Sequence, residues 1–216
     1  VYDARKRCGM ELAKEAQIEA DVVIPVPETA IPAAIGYSRQ SGIPLETGLI
    51  KNRYVYRTFI EPDQKMRHQG VTLKLTAMPT VVKGKRVIVI DDSIVRGTTS
   101  QQLIKMIFDA GAKEVHVRIG SPAIKAPCYL GVDMPTREEL IASDKDGEEV
   151  RKRITANSLH HISLEALVET IGISRKNLCT GCLTGCYPVT ISGEESRLTN
   201  VDFLDGTYQT KLELFE

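Results

Sequence analysis

The fold is decided by the stretch Arg86-Val87-Ile88-Val89-Ile90-Asp91-Asp92-Ser93-Ile94-Val95-Arg96-Gly97-Thr98-Thr99-Ser100. Its first five residues are a β-branched apolar run, which is typical of a strand covered on both faces. Downstream, Leu103, Ile104 and Ile107 recur at helical spacing, and Gly111 follows as a residue that commonly ends a helix. The stretch therefore predicts a buried strand, a polar loop and a helix, in that order.

Similar patterns flank this unit. Strands are predicted at 21–27 and 114–119, and helices at 3–18 and about 31–40. Strands that alternate with helices through short turns indicate a parallel α/β sheet. Further along the chain, acidic first turns predict helices at 136–143, 148–154 and 163–171.

Two stretches show no periodic pattern. Residues 51–80 carry many charges, and we predict a long loop there, of the kind that is usually functional or disordered. Residues 174–192 are rich in Cys, Gly and Thr, and no helix or strand is predicted for them.

Composition excludes several classes of protein. The chain has 216 residues, 42% of them hydrophobic, which is ordinary for a globular protein. Its 28 basic and 28 acidic residues give a net charge of zero, which argues against bulk binding to nucleic acid. No apolar run is long enough to cross a membrane, and the N-terminus lacks a signal-peptide core, so we expect a cytoplasmic protein. Because the chain begins at Val1, we expect a processed protein or a piece of a longer one.

The loop after the predicted strand has the chemistry of a phosphate site. The strand delivers Asp91 and Asp92 to its carboxyl end, where open α/β sheets bind ligands. Gly97 lets the backbone approach closely, and the free N–H groups of the following helix suit a phosphate. The hydroxyls of Thr98, Thr99 and Ser100 add donors, and the carboxylates suit sugar hydroxyls or Mg²⁺. The bland alternative is simple capping, with Asp92 and Ser93 capping the turn and Thr98 the helix.

The cysteines are clustered near the end of the chain. Cys179-Thr180-Gly181-Cys182 is a tight Cys-x-x-Cys motif, and Cys186 follows closely. In a reducing compartment such a cluster indicates zinc, an iron–sulfur cluster or a redox dithiol, and the spacing alone does not decide among them. Cys8 lies on the apolar face of the first predicted helix, where we expect it to be core.

These motifs resemble those of type I phosphoribosyltransferases, which bind 5-phosphoribosyl-1-pyrophosphate (PRPP). The string from Asp91 to Thr99 is similar to one family in particular, the glutamine PRPP amidotransferases. The resemblance extends to Ile24-Pro25-Val26-Pro27-Glu28-Thr29, similar to the family's pyrophosphate turn, and to the stretch from Lys51 to Ile60, similar to its mobile active-site loop. It also includes Gly131-Val132-Asp133-Met134-Pro135 and Glu138-Glu139-Leu140-Ile141-Ala142, and so covers nearly the whole chain.

The resemblance implies a role for each motif. Asp91 and Asp92 would hold the ribose hydroxyls directly or through Mg²⁺, with Thr29 contacting the metal–pyrophosphate beside Glu28. Lys51, Arg53 and Tyr54 would belong to the catalytic loop that folds over PRPP, although Tyr56 stands where we expect Gly. The residues implied to bind the 5-phosphate and its surroundings are Ser93, Arg96, Gly97, Thr98, Thr99 and Ser100.

The resemblance also implies cofactors and partners. One branch of the family carries a [4Fe–4S] cluster, and Cys128, Cys179 and Cys182 match three of its ligands, with the fourth upstream of this chain. We expect a phosphoribosyltransferase core at 1–126, a cysteine-bearing extension at 127–216, and a glutaminase domain that is absent from this chain. Glutamine or ammonia, a glutaminase domain or chain, feedback by purine nucleotides and a homo-oligomer are implied as well.

The implied activity is that of an amidophosphoribosyltransferase, a pentosyltransferase that makes phosphoribosylamine at the first step of purine biosynthesis. An alternative is a non-catalytic PRPP sensor, which would keep the phosphate loop but need not keep the pyrophosphate turn and the mobile loop. An iron–sulfur electron carrier is a second alternative, and it would need no Asp91–Asp92 pair.

Overall fold

The computed structural model describes residues 1–52, 75–132, 134 and 136–191. Within them, helices and strands follow in this order: α1 (Tyr2–Glu15), β1 (Val22–Pro25), α2 (Ile31–Ser41), β2 (Leu49–Lys51), β3 (Leu75–Ala77), α3 (Pro79–Val82), β4 (Arg86–Asp91), α4 (Thr98–Asp109), β5 (Glu114–Ile119), α5 (Gly147–Ile154), β6 (Ser158–His161), α6 (Leu164–Ile171), a 3₁₀ turn (Arg175–Asn177) and α7 (Gly181–Thr184). No helix in this part of the chain is long and apolar enough to cross a membrane.

The main sheet has four parallel strands in the order β1-β4-β5-β6. The strand β4 lies in the interior, with Pro25 of β1 opposite Ile90 and Ile119 of β5 opposite Asp91. Because all four strands run the same way, their carboxyl ends form a single edge of the sheet. The predicted parallel α/β architecture is confirmed.

Helices cover both faces of the sheet. Side chains at alternate positions of β4 enter different clusters, since Val87 and Val89 pack with α4 and α5 whereas Ile88 and Ile90 pack with α1, α2 and α6. Burial on both faces explains why the predicted strand is a continuous apolar run rather than an alternating one. Cys8 lies in the second cluster, 4% exposed and 3.0 Å from the Thr170 hydroxyl, so its prediction as core is confirmed.

A small hairpin corrects the predicted loop at 51–80. The strands β2 and β3 form an antiparallel pair in which Lys51 lies opposite Leu75, and α3 follows directly. Leu49, Leu75 and Ala77 pack into the same cluster as Val22 of β1, which explains why this stretch is ordered. Residues 53–74, between the two strands, lie outside the described residues.

The predicted helix at 136–143 is wrong. Its described residues form turns and bends, because neighbouring apolar side chains point to different places: Leu140 packs with Ile124 and Met134, whereas Ile141 joins the α4 side of the sheet. Packing of Leu140 and Ile141 into separate clusters overrides the local preference for a helix. The predicted helices that follow are confirmed as α5 and α6, and α5 begins with a capping box formed by Asp146 and Glu149.

Candidate functional site

The candidate site lies at the carboxyl edge of the sheet, where two neighbouring strands end. Asp91 is the last residue of β4 and Asp92 follows it, while the turn that contains Glu28 and Thr29 follows β1. The Val26 amide donates to the Ile90 carbonyl at 2.8 Å, which ties the start of this turn to the end of β4. The predicted pyrophosphate turn and the carboxylate pair are therefore adjacent, and Glu28 and Thr29 are exposed.

The two carboxylates have different surroundings. Burial and the nearby Asp92 charge raise the pKa of Asp91 to about 7, although the Asp92 amide donates to its Oδ1 at 2.8 Å. Asp92 is exposed, and its Oδ1 lies 3.4 Å from the Ser93 hydroxyl. The charge of a half-buried carboxylate beside a second acid is stabilised by a cation or by hydroxyl donors, so the pair suits Mg²⁺ or a sugar diol.

The loop from Ser93 to Ser100, here called the phosphate loop, runs into the first turn of α4. Gly97 has φ of 77° and is the N-cap residue, so no side chain caps the first turn of α4. The capping role considered for Thr98 is therefore wrong, because Thr98 is the first helical residue. Uncapped N–H groups at a helix start are available to an anion. Thr98 and Thr99 are exposed there, whereas Ser100 is buried.

A second loop, which contains residues 139–141, contacts the phosphate loop. The Ile141 amide donates to the Val95 carbonyl at 2.8 Å, and the Arg96 guanidinium donates to Glu139 with an Nε–Oε2 distance of 2.6 Å. The Ile141 side chain also occupies the space next to the Cα atom of Gly97. Three successive residues of the phosphate loop are thus held by residues 139–141, here called the support segment.

The predicted catalytic residues are only partly described. Lys51 is the exposed last residue of β2, at the end of the hairpin next to the connection between β2 and β3, and it forms no ion pair with a described residue. Arg53, Tyr54 and Tyr56 lie outside the described residues. Lys51 thus lies at the start of the segment that is predicted to close over the site.

Three cysteines lie near one another, and two of them, Cys128 and Cys182, pack against the cluster that contains Leu140 of the support segment. The Cys182 carbonyl accepts hydrogen bonds from the Lys125 and Ala126 amides, which brings the Cys128 segment against α7. Burial raises the pKa of the Cys182 thiol, and the neighbouring Cys128 and Cys179 raise it further. Even so, no group of three or more His, Cys, Asp or Glu within the described ranges is arranged to hold a metal ion.

The cysteine turn, defined here as residues 179–187, is closed by Tyr187. Its hydroxyl donates to the Pro127 carbonyl at 2.6 Å, and its ring fills the space that a Cβ atom on Gly181 would need. Its ring also meets that of Tyr129 edge to face, with 5.2 Å between the centroids. Glycine within the Cys-x-x-Cys motif is therefore required by packing. Cys186 is half-buried, and its amide donates to the Thr184 hydroxyl.

Comparison with known proteins assigns the chain to a family. The family model described as phosphoribosyl transferase domain matches residues 4–120, which include both the turn after β1 and the phosphate loop. The chain belongs to the phosphoribosyltransferase family. Its parallel sheet with flanking helices is the type I phosphoribosyltransferase fold, as predicted.

Relatives of this phosphoribosyltransferase chain are amidophosphoribosyltransferases. The chain is 55% identical over 196 residues to the one from Methanothermobacter thermautotrophicus, covering 91% of this chain and 41% of the relative. It is 53% identical over 195 residues to the one from Bacillus subtilis, covering 88% of this chain and 41% of the relative. The chain thus spans about two fifths of the length of the curated relatives it matches.

Solved structures agree with this relationship. Glutamine PRPP amidotransferase from B. subtilis, in complex with ADP and GMP, superposes with a TM-score of 0.80 at 52% identity. The match covers 89% of this chain and 43% of that one. A second structure, described as the allosteric regulatory enzyme of purine biosynthesis, gives a TM-score of 0.79 at 51% identity, covering 89% and 42%.

The support segment is the part of this phosphoribosyltransferase that residue-by-residue reasoning missed. Glu139 and Ile141 belong to a stretch noted only for its resemblance to the amidotransferase family. They lie more than 40 positions from the residues of the phosphate loop that they contact, and contacts between two loops leave no periodic signal in a sequence. An acidic residue near an apolar pair is a common surface pattern, so nothing local singles it out.

Proposed function

We propose that the chain transfers ammonia to PRPP, giving 5-phosphoribosylamine and pyrophosphate, the amidophosphoribosyltransferase reaction at the first step of purine biosynthesis. The observation that carries the proposal is the adjacency of three elements at one sheet edge: the Asp91–Asp92 pair, the uncapped start of α4 and the turn with Glu28 and Thr29. The relatives of the same name support it.

The chemistry divides among these elements. Breaking the bond between the anomeric carbon and pyrophosphate builds positive charge on the sugar and negative charge on the leaving group. In the proposal Asp91 and Asp92 orient the ribose hydroxyls, and the N–H groups of the phosphate loop hold the 5-phosphate. Lys51, with Arg53 and Tyr54, stabilises the leaving pyrophosphate and excludes water, which would compete with ammonia.

Mg²⁺ fits the donors present. Asp91, Asp92 and the Thr29 hydroxyl are hard oxygen ligands, and the raised pKa of the half-buried Asp91 indicates a carboxylate that a cation would relieve. When bound, the ion would neutralise charge on the pyrophosphate. Asp91 and Asp92 would then keep the sugar oriented against the turn.

A [4Fe–4S] cluster is the second proposed cofactor. The donor type fits, because Cys128, Cys179 and Cys182 are thiols that lie close enough for their charges to interact. Iron–sulfur clusters of this type take four thiolates, so a fourth must come from outside these residues. The reaction is a substitution without electron transfer, and we therefore propose a structural or oxygen-sensing role.

The proposal extends to domains and partners. We propose residues 1–126 as the transferase core and 127–216 as an extension that carries the cysteine turn. Ammonia would come from glutamine through a glutaminase domain or chain, in a homo-oligomer of the cytoplasm. The B. subtilis structure in complex with ADP and GMP supports purine nucleotides as feedback inhibitors.

Pyrophosphate release tests the function. The 216-residue chain is incubated with PRPP and Mg²⁺, and either ammonium chloride or glutamine is the nitrogen donor. We expect release with ammonium, rising with pH because neutral ammonia is the nucleophile, and none with glutamine alone. PRPP binding without release under any donor would identify a sensor, and release with glutamine alone would reveal a second catalytic centre.

A further inference from the structure

We propose that Glu139 is a positioning residue for the 5-phosphate of PRPP, acting through Arg96 as part of the support segment. The inference rests on the proposed function of the phosphate loop. In this role Glu139 does not touch the substrate. Its role is to fix the loop whose backbone holds the phosphate.

Contacts on three successive residues carry the inference. The Val95 carbonyl accepts the Ile141 amide at 2.8 Å, Glu139 accepts from Arg96 at 2.6 Å, and Gly97 is backed by the Ile141 side chain. Both the Nε and Nη2 atoms of Arg96 reach the same Glu139 oxygen. An arginine held through two nitrogens has a defined orientation, which a single flexible ion pair would not give.

The position of these contacts matters more than their number. The last residue of the phosphate loop that they hold is Gly97, the N-cap of α4. The N–H groups that are predicted to bind the phosphate follow directly after it. Anion binding by backbone N–H groups requires that several point at one place. A loop that samples other conformations must be ordered on binding, and that entropy lowers affinity.

The support segment is itself anchored. Leu140 is 2% exposed and packs with Ile124 and Met134, and Ile141 is 3% exposed in the cluster that includes Leu103 of α4. Glu139 is therefore carried by a backbone with two buried side chains, even though its own carboxylate is partly exposed. Such a backbone is a fixed point against which Arg96 can be held.

The test separates the two ends of the substrate. Glu139→Gln keeps the shape of the side chain but removes its charge, and binding is measured by calorimetry with Mg²⁺ for ribose 5-phosphate and for inorganic pyrophosphate. We expect the Kd of ribose 5-phosphate to rise about fivefold, since partly exposed ion pairs contribute up to about 1 kcal/mol. The Kd of pyrophosphate should not change, because the support segment acts on Val95, Arg96 and Gly97 of the phosphate loop.

Matched variants make the result decisive. Glu138→Gln alters the exposed neighbouring carboxylate and should leave both affinities at the wild-type value. Glu139→Asp should recover part of the ribose 5-phosphate affinity. Equal Kd values for Glu139→Gln and wild type, or an equal loss for both ligands, would overturn the inference. Failure of the wild-type chain to bind ribose 5-phosphate would instead overturn the proposed function.

Discussion

The side chain of Ile141 occupies the space where a Cβ atom of Gly97 would lie, although the two residues are far apart in the sequence. Gly97 also has φ of 77°, a conformation that L side chains rarely adopt. Glycine is thus required twice at this position, once by the backbone conformation and once by a neighbour. Both requirements fall on the N-cap residue of α4, which lies within the phosphate loop.

Gly97→Ala is expected to weaken PRPP binding strongly. The added methyl group must displace the Cδ1 end of a buried isoleucine, and the left-handed conformation costs about 1–2 kcal/mol more for alanine. Because the loop must shift to relieve both, we expect the Kd for PRPP to rise at least about tenfold. Calorimetric titration with PRPP and Mg²⁺ measures it.

The double variant Gly97→Ala/Ile141→Ala separates the two costs. Truncating Ile141 removes the overlap but leaves the unfavourable φ, so part of the lost affinity should return. Circular dichroism checks that the double variant is folded. Recovery to the full wild-type affinity would show that backbone conformation at Gly97 contributes nothing, and no recovery would show that the contact with Ile141 is irrelevant.

Asp92→Asn is expected to abolish turnover and leave the fold intact. Asp92 is exposed and lies in the loop after β4, so its substitution should leave the melting temperature near that of the wild type. Loss of one carboxylate from the pair removes a ligand for the cation and for the ribose hydroxyls, which we expect to cost at least about 100-fold in pyrophosphate release. Asp109→Asn is the control, an exposed acid on α4 paired with Lys105. Wild-type rates for Asp92→Asn would contradict the site assignment.

Lys51→Ala should slow the reaction without destabilising the chain. The ammonium group is exposed and forms no ion pair with a described residue, so its removal should leave the melting temperature unchanged. Loss of a charge that stabilises the leaving pyrophosphate should lower kcat about tenfold or more. Lys113→Ala, which alters an exposed lysine just before β5, serves as the control. A large drop in melting temperature with intact kinetics would show that Lys51 has a structural role.

Sequence alone predicted the strand β4 and the position of the carboxylate pair, because a continuous β-branched run followed by acids has few other interpretations. It did not predict β6, since Ser158-Leu159-His160-His161 lacks such a run and its side chains are all half-buried. It also placed a helix over the support segment. Leu140 and Ile141 are adjacent apolar residues that enter different clusters, and tertiary packing of this kind overrides local preference.

The cysteine turn gives a prediction that can be read from colour and metal content. If the proposed cluster forms, protein purified without oxygen should be brown and should contain iron. Cys182→Ser should lose most of this iron, since Cys182 is near both Cys128 and Cys179. Cys186→Ser is the matched control and should retain its iron. Elemental analysis that finds zinc and no iron, or loss of iron only from Cys186→Ser, would contradict the ligand set.

The last prediction concerns stability at acidic pH and rests on Glu15 at the end of α1. Its carboxylate accepts the Ser163 amide at 3.1 Å and lies 3.1 Å from the His160 Nε2 atom, which joins α1 to β6 and to the start of α6. Burial raises the pKa of Glu15, but the hydrogen bonds from Ser163 and His160 outweigh it and hold the pKa below its usual value of 4.5.

The sign of the pH effect follows from this lowered pKa. The folded chain binds the Glu15 proton less tightly than the unfolded chain, so the stabilisation is complete above pH 4.5 and is lost as pH falls through the folded-state pKa. Glu15→Gln should lower the free energy of unfolding by about 1 kcal/mol at neutral pH, and the difference from wild type should shrink in acid. Urea denaturation at several pH values measures both. Glu11→Gln, which breaks only a surface pair with Lys14 on the same helix, should cost a few tenths of a kcal/mol at most. If the difference in unfolding free energy between Glu15→Gln and wild type stays constant down to about pH 3, well below the usual pKa of glutamate, the charge of Glu15 does not stabilise the fold.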